Sequence, residues 1–200
     1  MITYQKLQKK NLFRITKIWE FGLVDNIYSV LGPIFIKEYL NLILKIKENR
    51  GFIAIDRRKK KVIGFVIFGK EEQINLKILK KNFIKIIFKL CRKIFLLKVN
   101  DLLKFIDVLV YLLFLKFNKA DFNKSSELLI IVVEKSYRSR KIGNKLINKS
   151  ILFLKKENKK LKYINVVTLK RLKRSVNFYK KNKFSIKKKI FNRYHLLRKI

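Results

Sequence analysis

One proline, one cysteine, one histidine, two alanines and six glycines among 200 residues exclude several classes of protein at once. The lone Cys91 leaves no internal disulfide framework and fits a reducing, cytoplasmic setting. With His195 the only histidine, Cys-His metal spacing is absent and no metal site is expected. The opening residues Met1 to Lys6 lack a charged segment followed by an apolar one, so no signal peptide is expected. The strongest membrane candidate, Leu102 to Leu115, is broken by Lys104 and Asp107 and falls short of the ~20 residues that a spanning helix needs. It reads instead as a buried or surface-lying helix.

Acidic residues are scarce too: 13 Asp and Glu stand against 51 Lys and Arg, a formal net charge of +38. Such a balance ordinarily points to nucleic acid or an anionic membrane surface. Here the lysines are scattered along the chain together with abundant Ile, Asn, Phe, Leu and Tyr, the mixture that AT-rich codons supply whatever the function. Charge alone therefore does not assign a partner. What is present is a 49% apolar fraction, enough for one domain over residues 1–200 with a real core.

Along the chain, Ile2 to Leu7 alternates as a strand, and Asn11 to Phe21 has the helical spacing of Leu12, Ile15, Ile18 and Trp19. Gly32-Pro33 interrupts, and Ile34 to Ile46 resumes as a helix. Gly51 to Asp56 and Val62 to Phe68 are β-branched and aromatic runs joined by Arg57 to Lys61, the pattern of an antiparallel hairpin.

Residues 74–118 are unusual. Lys77, Lys81, Lys85, Lys89 and Lys93 recur at every fourth position, with Ile78, Phe83, Ile86, Ile87, Leu90 and Ile94 between them, which predicts a basic amphipathic helix. A second helix is expected from about Asp101 to Lys116. The pair reads as a helical insertion packing on the sheet or as a membrane-surface or partner-docking element. Beyond it follow a strand over Glu127 to Val133, a helix over Asn144 to Lys155 and a strand over Tyr163 to Leu169. A short helix over Ser175 to Lys181 and a closing hairpin through Ile190 and Leu197 complete the chain.

The chemistry concentrates in Val133-Glu134-Lys135-Ser136-Tyr137-Arg138-Ser139-Arg140-Lys141-Ile142-Gly143-Asn144-Lys145. A buried strand runs through a basic turn directly into a helix, which aims unpaired backbone N–H groups and the positive helix end at one point. That arrangement suits phosphate oxygens, with Arg138, Arg140 and Lys141 adding charge around them. A P-loop pattern is absent, and only one of the three glycines of a dinucleotide fingerprint is present.

This segment resembles the acetyl-CoA-binding motif of the GNAT superfamily, Q/R-x-x-G-x-G/A, with Arg138 first, Gly143 last and Lys141 in place of the middle glycine. Some forty residues on, Leu172 to Phe184 resembles the family's closing pattern N-x-x-A-x-x-x-Y-x-x-x-G-F. Tyr179 and Phe184 match, Ser175 takes the small-residue position, and Leu172 and Lys183 replace Asn and Gly. The stretch from Tyr28 to Ile36 faintly resembles members found in surface-polysaccharide clusters.

The resemblance implies an α/β (α+β) fold with a mixed, mostly antiparallel central sheet, helices on both faces, and residues 72–122 as a helical insertion between strands 3 and 4. It implies an N-acetyltransferase using acetyl-CoA as co-substrate, direct attack by a primary amine, and no acyl-enzyme. Backbone groups of Ile131, Val132 and Val133 are expected to pair with the pantetheine arm. Arg138, Ser139, Arg140, Lys141, Ile142, Gly143, Asn144 and Lys145 are expected to hold the phosphates.

Tyr179 is the candidate general acid and Glu127 the candidate base, ahead of Glu71, Glu72 and Glu134, while His195 is expected to be structural. The acceptor is expected to be a small-molecule or peptide amine, with membrane or other anionic-surface contact through 74–118 and no specific nucleic acid. Two alternatives stand beside this reading: a non-enzymatic basic module binding nucleic acid or membrane, and an acyl-CoA-binding member that has lost activity.

Overall fold

The alternating and helical periods of the sequence resolve, in the computed structural model, into strands and helices close to those expected. Residues 1–24, 26–47, 49–69, 74–88, 103, 106 and 125–200 are described. The strands are β1 (Ile2–Lys6), β2 (Arg50–Asp56), β3 (Lys61–Gly69), β4 (Ser125–Val133), β5 (Tyr163–Leu169), β6 (Ser185–Ile190) and β7 (Arg193–Lys199). The helices are α1 (Leu12–Gly22), α2 (Ile27–Leu31), α3 (Pro33–Lys45), α4 (Ile74–Lys81), α5 (Ile142–Glu157) and α6 (Lys173–Lys181). The chain divides into two compact units, one of Met1–Gln8, Glu48–Lys70 and Phe122–Ile200, the other of Lys9–Lys47 and Glu71–Asp121.

The first unit holds a seven-stranded sheet in the order β1-β2-β3-β4-β5-β7-β6. Every neighbouring pair is antiparallel except β4 and β5. That parallel step requires a crossover, which α5 supplies. Its inward positions Ile142, Leu146, Ile147, Ile151 and Leu154 follow helical spacing and pack with Phe52, Ala54, Val66, Phe68 and Leu128 of the sheet. Ser150, buried on the same face, donates its hydroxyl to the Leu146 carbonyl and so is not itself left unpaired in the core. At the far end of α5, Glu157 accepts from the Arg50 guanidinium at 2.6 Å and lies 3.6 Å from the Lys6 ammonium.

The second unit packs α1, α2 and α3 around an aromatic centre. Trp19 lies edge-on to Tyr28 and Tyr39 at ring separations of 6.1 and 5.4 Å. Gly32, at φ 99°, ends α2, and Pro33 begins α3, so the Gly-Pro interruption is a C-cap followed by an N1 proline. The short α2, capped by the Asn26 side chain on the Tyr28 N–H, has no counterpart in the sequence reading.

The basic amphipathic helix expected over 74–98 does not run unbroken. α4 ends at Lys81, Asn82 forms a turn, and residues 83–88 are helical again. The backbone bonds Asn82 N–H to the Ile78 carbonyl and Ile86 N–H to the Asn82 carbonyl persist through this turn, and the Asn82 side chain donates to the Ile78 carbonyl and the Glu38 carboxylate. Lys77, Lys81 and Lys85 are exposed and Ile78 and Ile86 are buried, in keeping with the spacing. Phe83 and Ile87 are exposed. The helix expected over 101–116, the apolar run at 102–115, Cys91, Glu71 and Glu72 lie outside the described residues.

Candidate functional site

Two neighbouring strands that part company leave backbone groups without partners, and here the parting is sharp. β4 pairs with β5 only through Ser125↔Tyr163, Ser126↔Ile164 and Glu127↔Asn165. From Val166 onward β5 pairs with β7 alone, while β4 continues against β3 to Val133. A wedge therefore opens between β4 and β5 with its apex at Glu127. On the β3 side the register slips by one residue, with Ile67 opposite Ile130 and Phe68 opposite Leu128, so Leu129 is the extra residue of a bulge beside the apex.

Strand alternation decides which groups face the wedge. The Glu134 N–H donates to the Ile63 carbonyl at 2.8 Å, so Glu134 and, two residues back, Val132 direct their backbone groups at β3. Ile131 and Val133 direct theirs into the wedge. Of the three residues expected to pair with a pantetheine arm, Val132 is thus committed elsewhere, and its side chain is buried. The Val133 carbonyl also accepts from Arg138 Nε at 3.1 Å. What remains for an extended ligand is the Val133 N–H together with the N–H and C=O of Ile131.

Beyond Val133 the chain makes a 3-10 turn over Lys135–Tyr137 and enters α5. Tyr137 anchors this turn. Its ring is buried, its hydroxyl donates to the Asp56 carboxylate at 2.8 Å, and Arg140 stacks over it at 5.2 Å. The same bond holds the Asp56 carboxyl below the ordinary carboxylate range and raises the Tyr137 phenol, because it requires an ionised acid and a protonated donor. Glu134 is engaged by Lys61 at 3.0 Å.

The start of α5 is bare. Lys141 occupies the N-cap position at φ 57°, ψ 14°, with no side-chain cap, and the first intrahelical bond is Lys145 N–H to the Lys141 carbonyl. The N–H groups of Ile142, Gly143 and Asn144 therefore lack intrahelical acceptors. The Ile142 side chain is buried and fixes the helix end in the core. Ser139, also left-handed at φ 64°, is exposed, as are Arg138, Arg140, Lys141 and Lys145. Several backbone donors, the positive helix end and a ring of cations converge without an acidic side chain in the first turn.

Gly143 serves a different purpose. A Cβ there would meet the Phe178 ring at 3.1 Å, so the absence of a side chain lets α6 lie against the first turn of α5. Sequence reasoning passed over Phe178, whose partly buried ring seats α6 against Gly143. Tyr179 is buried, with ring contacts to Phe178 at 5.4 Å and Phe184 at 5.6 Å. Burial drives its phenol pKa far above the ordinary value, so it keeps its proton at neutral pH.

Glu127 stands at the apex of the wedge, six residues from Val133 and hence about 20 Å along the strand from the turn. His195 is buried on β7 between Val167 and Lys188, and desolvation lowers its pKa and favours the neutral ring, with Lys188 and Arg193 adding to the effect.

With this geometry in view, comparison with known proteins is informative. Residues 108–184 match the family model described as the acetyltransferase (GNAT) family. No match is found among curated proteins. Solved structures align over nearly the whole chain.

The PaiA N-acetyltransferase of Thermoplasma acidophilum, crystallised with coenzyme A, shares 12% identity at a TM-score of 0.62, covering 100% of this chain and 99% of that one. A GNAT-family acetyltransferase of Staphylococcus aureus shares 16% identity at a TM-score of 0.57, covering 100% and 99%. The spermidine/spermine N-acetyltransferase of Vibrio cholerae shares 13% identity at a TM-score of 0.57, covering 99% and 93%. Identities this low speak to fold, and the family model speaks to the segment that carries the wedge, the turn and α6. The chain has the GNAT fold, and its residues 108–184 match the model of the GNAT acetyltransferase family.

Proposed function

We propose that the protein is an N-acetyltransferase that moves the acetyl group of acetyl-CoA directly to a primary amine. The observation that carries this reading is the β4–β5 wedge running from Glu127 into the uncapped first turn of α5. Pyrophosphate oxygens would be held by the N–H groups of Ile142, Gly143 and Asn144, with Arg138, Arg140, Lys141 and Lys145 balancing their charge. The pantetheine arm would continue the sheet at Ile131 and Val133. So placed, the thioester lies toward the apex, and holding it there against an amine accounts for most of the acceleration.

In the reaction the amine nitrogen attacks the thioester carbonyl carbon, the C–N bond forms, the C–S bond breaks, and the sulfur leaves as thiolate. Glu127 is our candidate to deprotonate the ammonium before the amine attacks, directly or through water, because it stands where the strands part; the second proton, lost from nitrogen as the amide forms, passes to water or to the departing sulfur. Glu134 is set aside, being paired with Lys61 at the phosphate end.

For Tyr179 the raised pKa refines the role. A phenol that far above an ordinary thiol, at ~8.5, does not give up its proton to a thiolate at equilibrium, so it acts by donating a hydrogen bond to sulfur as charge develops. The excess of positive charge favours an acidic small molecule or peptide as amine acceptor. The single Cys91 supports a cytoplasmic setting.

Calorimetry with CoA and acetyl-CoA tests the binding step. Affinity on the order of micromolar is expected, abolished by Arg138→Ala combined with Gly143→Trp. Arg138→Ala alone should weaken binding with little loss of melting temperature, since its side chain is exposed and gives up a hydrogen bond to the Val133 carbonyl at the surface. Thiol release in a screen of amines then reports transfer, and Tyr179→Phe should lower kcat while leaving coenzyme affinity unchanged. Undiminished binding in the double variant contradicts the site.

A further inference from the structure

Residues 83–88 form a helical segment whose solvent side is apolar. Phe83, Ile84, Ile87 and Phe88 are 61%, 82%, 44% and 73% exposed. These positions, i, i+1, i+4 and i+5, share one side of a helix, while Ile86 on the other side is buried. The segment is thus anchored inward and apolar outward. Two phenyl rings and two isoleucines side by side in water form an exposed patch that asks for an occupant.

The surrounding charge says which. Lys77, Lys80 and Lys81, just before the segment, and Lys85 within it are exposed, and of these Lys81 pairs with Glu38 at 2.8 Å. From residue 74 to residue 100 the sequence contains eight basic residues and neither Asp nor Glu. Rings and aliphatic chains flanked by ammonium groups suit the boundary of an anionic bilayer, where the apolar side chains reach acyl chains and the cations meet headgroup phosphates. RNA offers stacking for the rings and nothing for the isoleucines.

We propose that the 83–88 face docks the protein on anionic lipid membranes. The inference is independent of the acetyl-transfer reading.

The test must separate insertion from simple attraction, because a chain of net charge +38 approaches any anionic surface. Phe83→Ser with Phe88→Ser removes apolar area and leaves the charge unchanged. Leu152→Ser, at a residue 62% exposed on α5, is the matched control. Co-sedimentation of the whole protein with phosphatidylcholine vesicles, with and without phosphatidylglycerol, is the measurement, with melting temperature and far-UV circular dichroism confirming that each variant is folded.

Wild type and Leu152→Ser should bind the anionic vesicles alike and the neutral ones weakly, and the double serine variant should bind the anionic vesicles roughly tenfold less. Equal binding by the double variant overturns the proposal. So does loss of wild-type self-association, or of RNA retention, in the double variant while vesicle binding stays intact.

Discussion

Lys141 and Lys183 stand where the GNAT motifs carry glycine, and both adopt left-handed backbone angles, φ 57° and φ 66°. The backbone has kept the conformation that glycine adopts freely while the side chain has changed to one that pays a steric penalty there. Lys141→Gly should therefore stabilise the protein by about 1 kcal/mol, the left-handed strain relieved less the added freedom of the unfolded chain. Denaturant unfolding checks this, and an unchanged or lowered midpoint would show that Lys141 makes compensating contacts.

Both lysines read as departures in the sequence because motif patterns record residue type and not the sign of φ. The turn itself was legible from its strand-basic-helix order. The Tyr137–Asp56 anchor was not, since 81 residues separate the partners and nothing local marks the pair. Neither was the exclusion of Val132, which depends on strand register, nor the seat of Phe178 against Gly143, which depends on how two helices meet.

At the scale of elements, helix ends are where this chain is weakest. The N-cap of α6 is Leu172, where the family pattern has Asn, and no side chain caps the helix. Its first turn carries Lys173 and Arg174 against the positive end of the helix dipole. An Asn at this position can accept from the N2 or N3 N–H, so Leu172→Asn should add about 1 kcal/mol of stability.

Because α6 holds Tyr179, hydrogen exchange at its first turn should slow in the same variant, which separates capping from an effect elsewhere. Among the described residues most elements were legible from periodicity, each β-strand and each of α1, α3 and α5 lying within a few residues of its expected place. The turn at Asn82 was not, because nothing in the spacing of the lysines and apolar residues around it marks the place.

Taken whole, the molecule carries 38 more basic than acidic residues, so pairing every carboxylate would still leave most cations unmatched. The ion pairs of Glu157, Glu134 and Glu38 involve partly exposed lysines or an arginine, and contribute little each. Lys187, Lys188 and Lys189 line the edge strand β6, where like charge discourages pairing with another chain but adds to self-repulsion.

Compaction therefore works against a field that salt can screen, the Debye length falling from ~30 Å at 0.01 M to ~3 Å at 1 M. Raising sodium chloride across that range should raise the melting temperature, the reverse of what a fold dependent on surface ion pairs would do. Phosphate at matched ionic strength should stabilise further through the first turn of α5, and Arg138→Ala should remove that increment while keeping the chloride response. A phosphate effect equal to that of chloride would mean that the turn offers anions no more than the rest of this basic surface does.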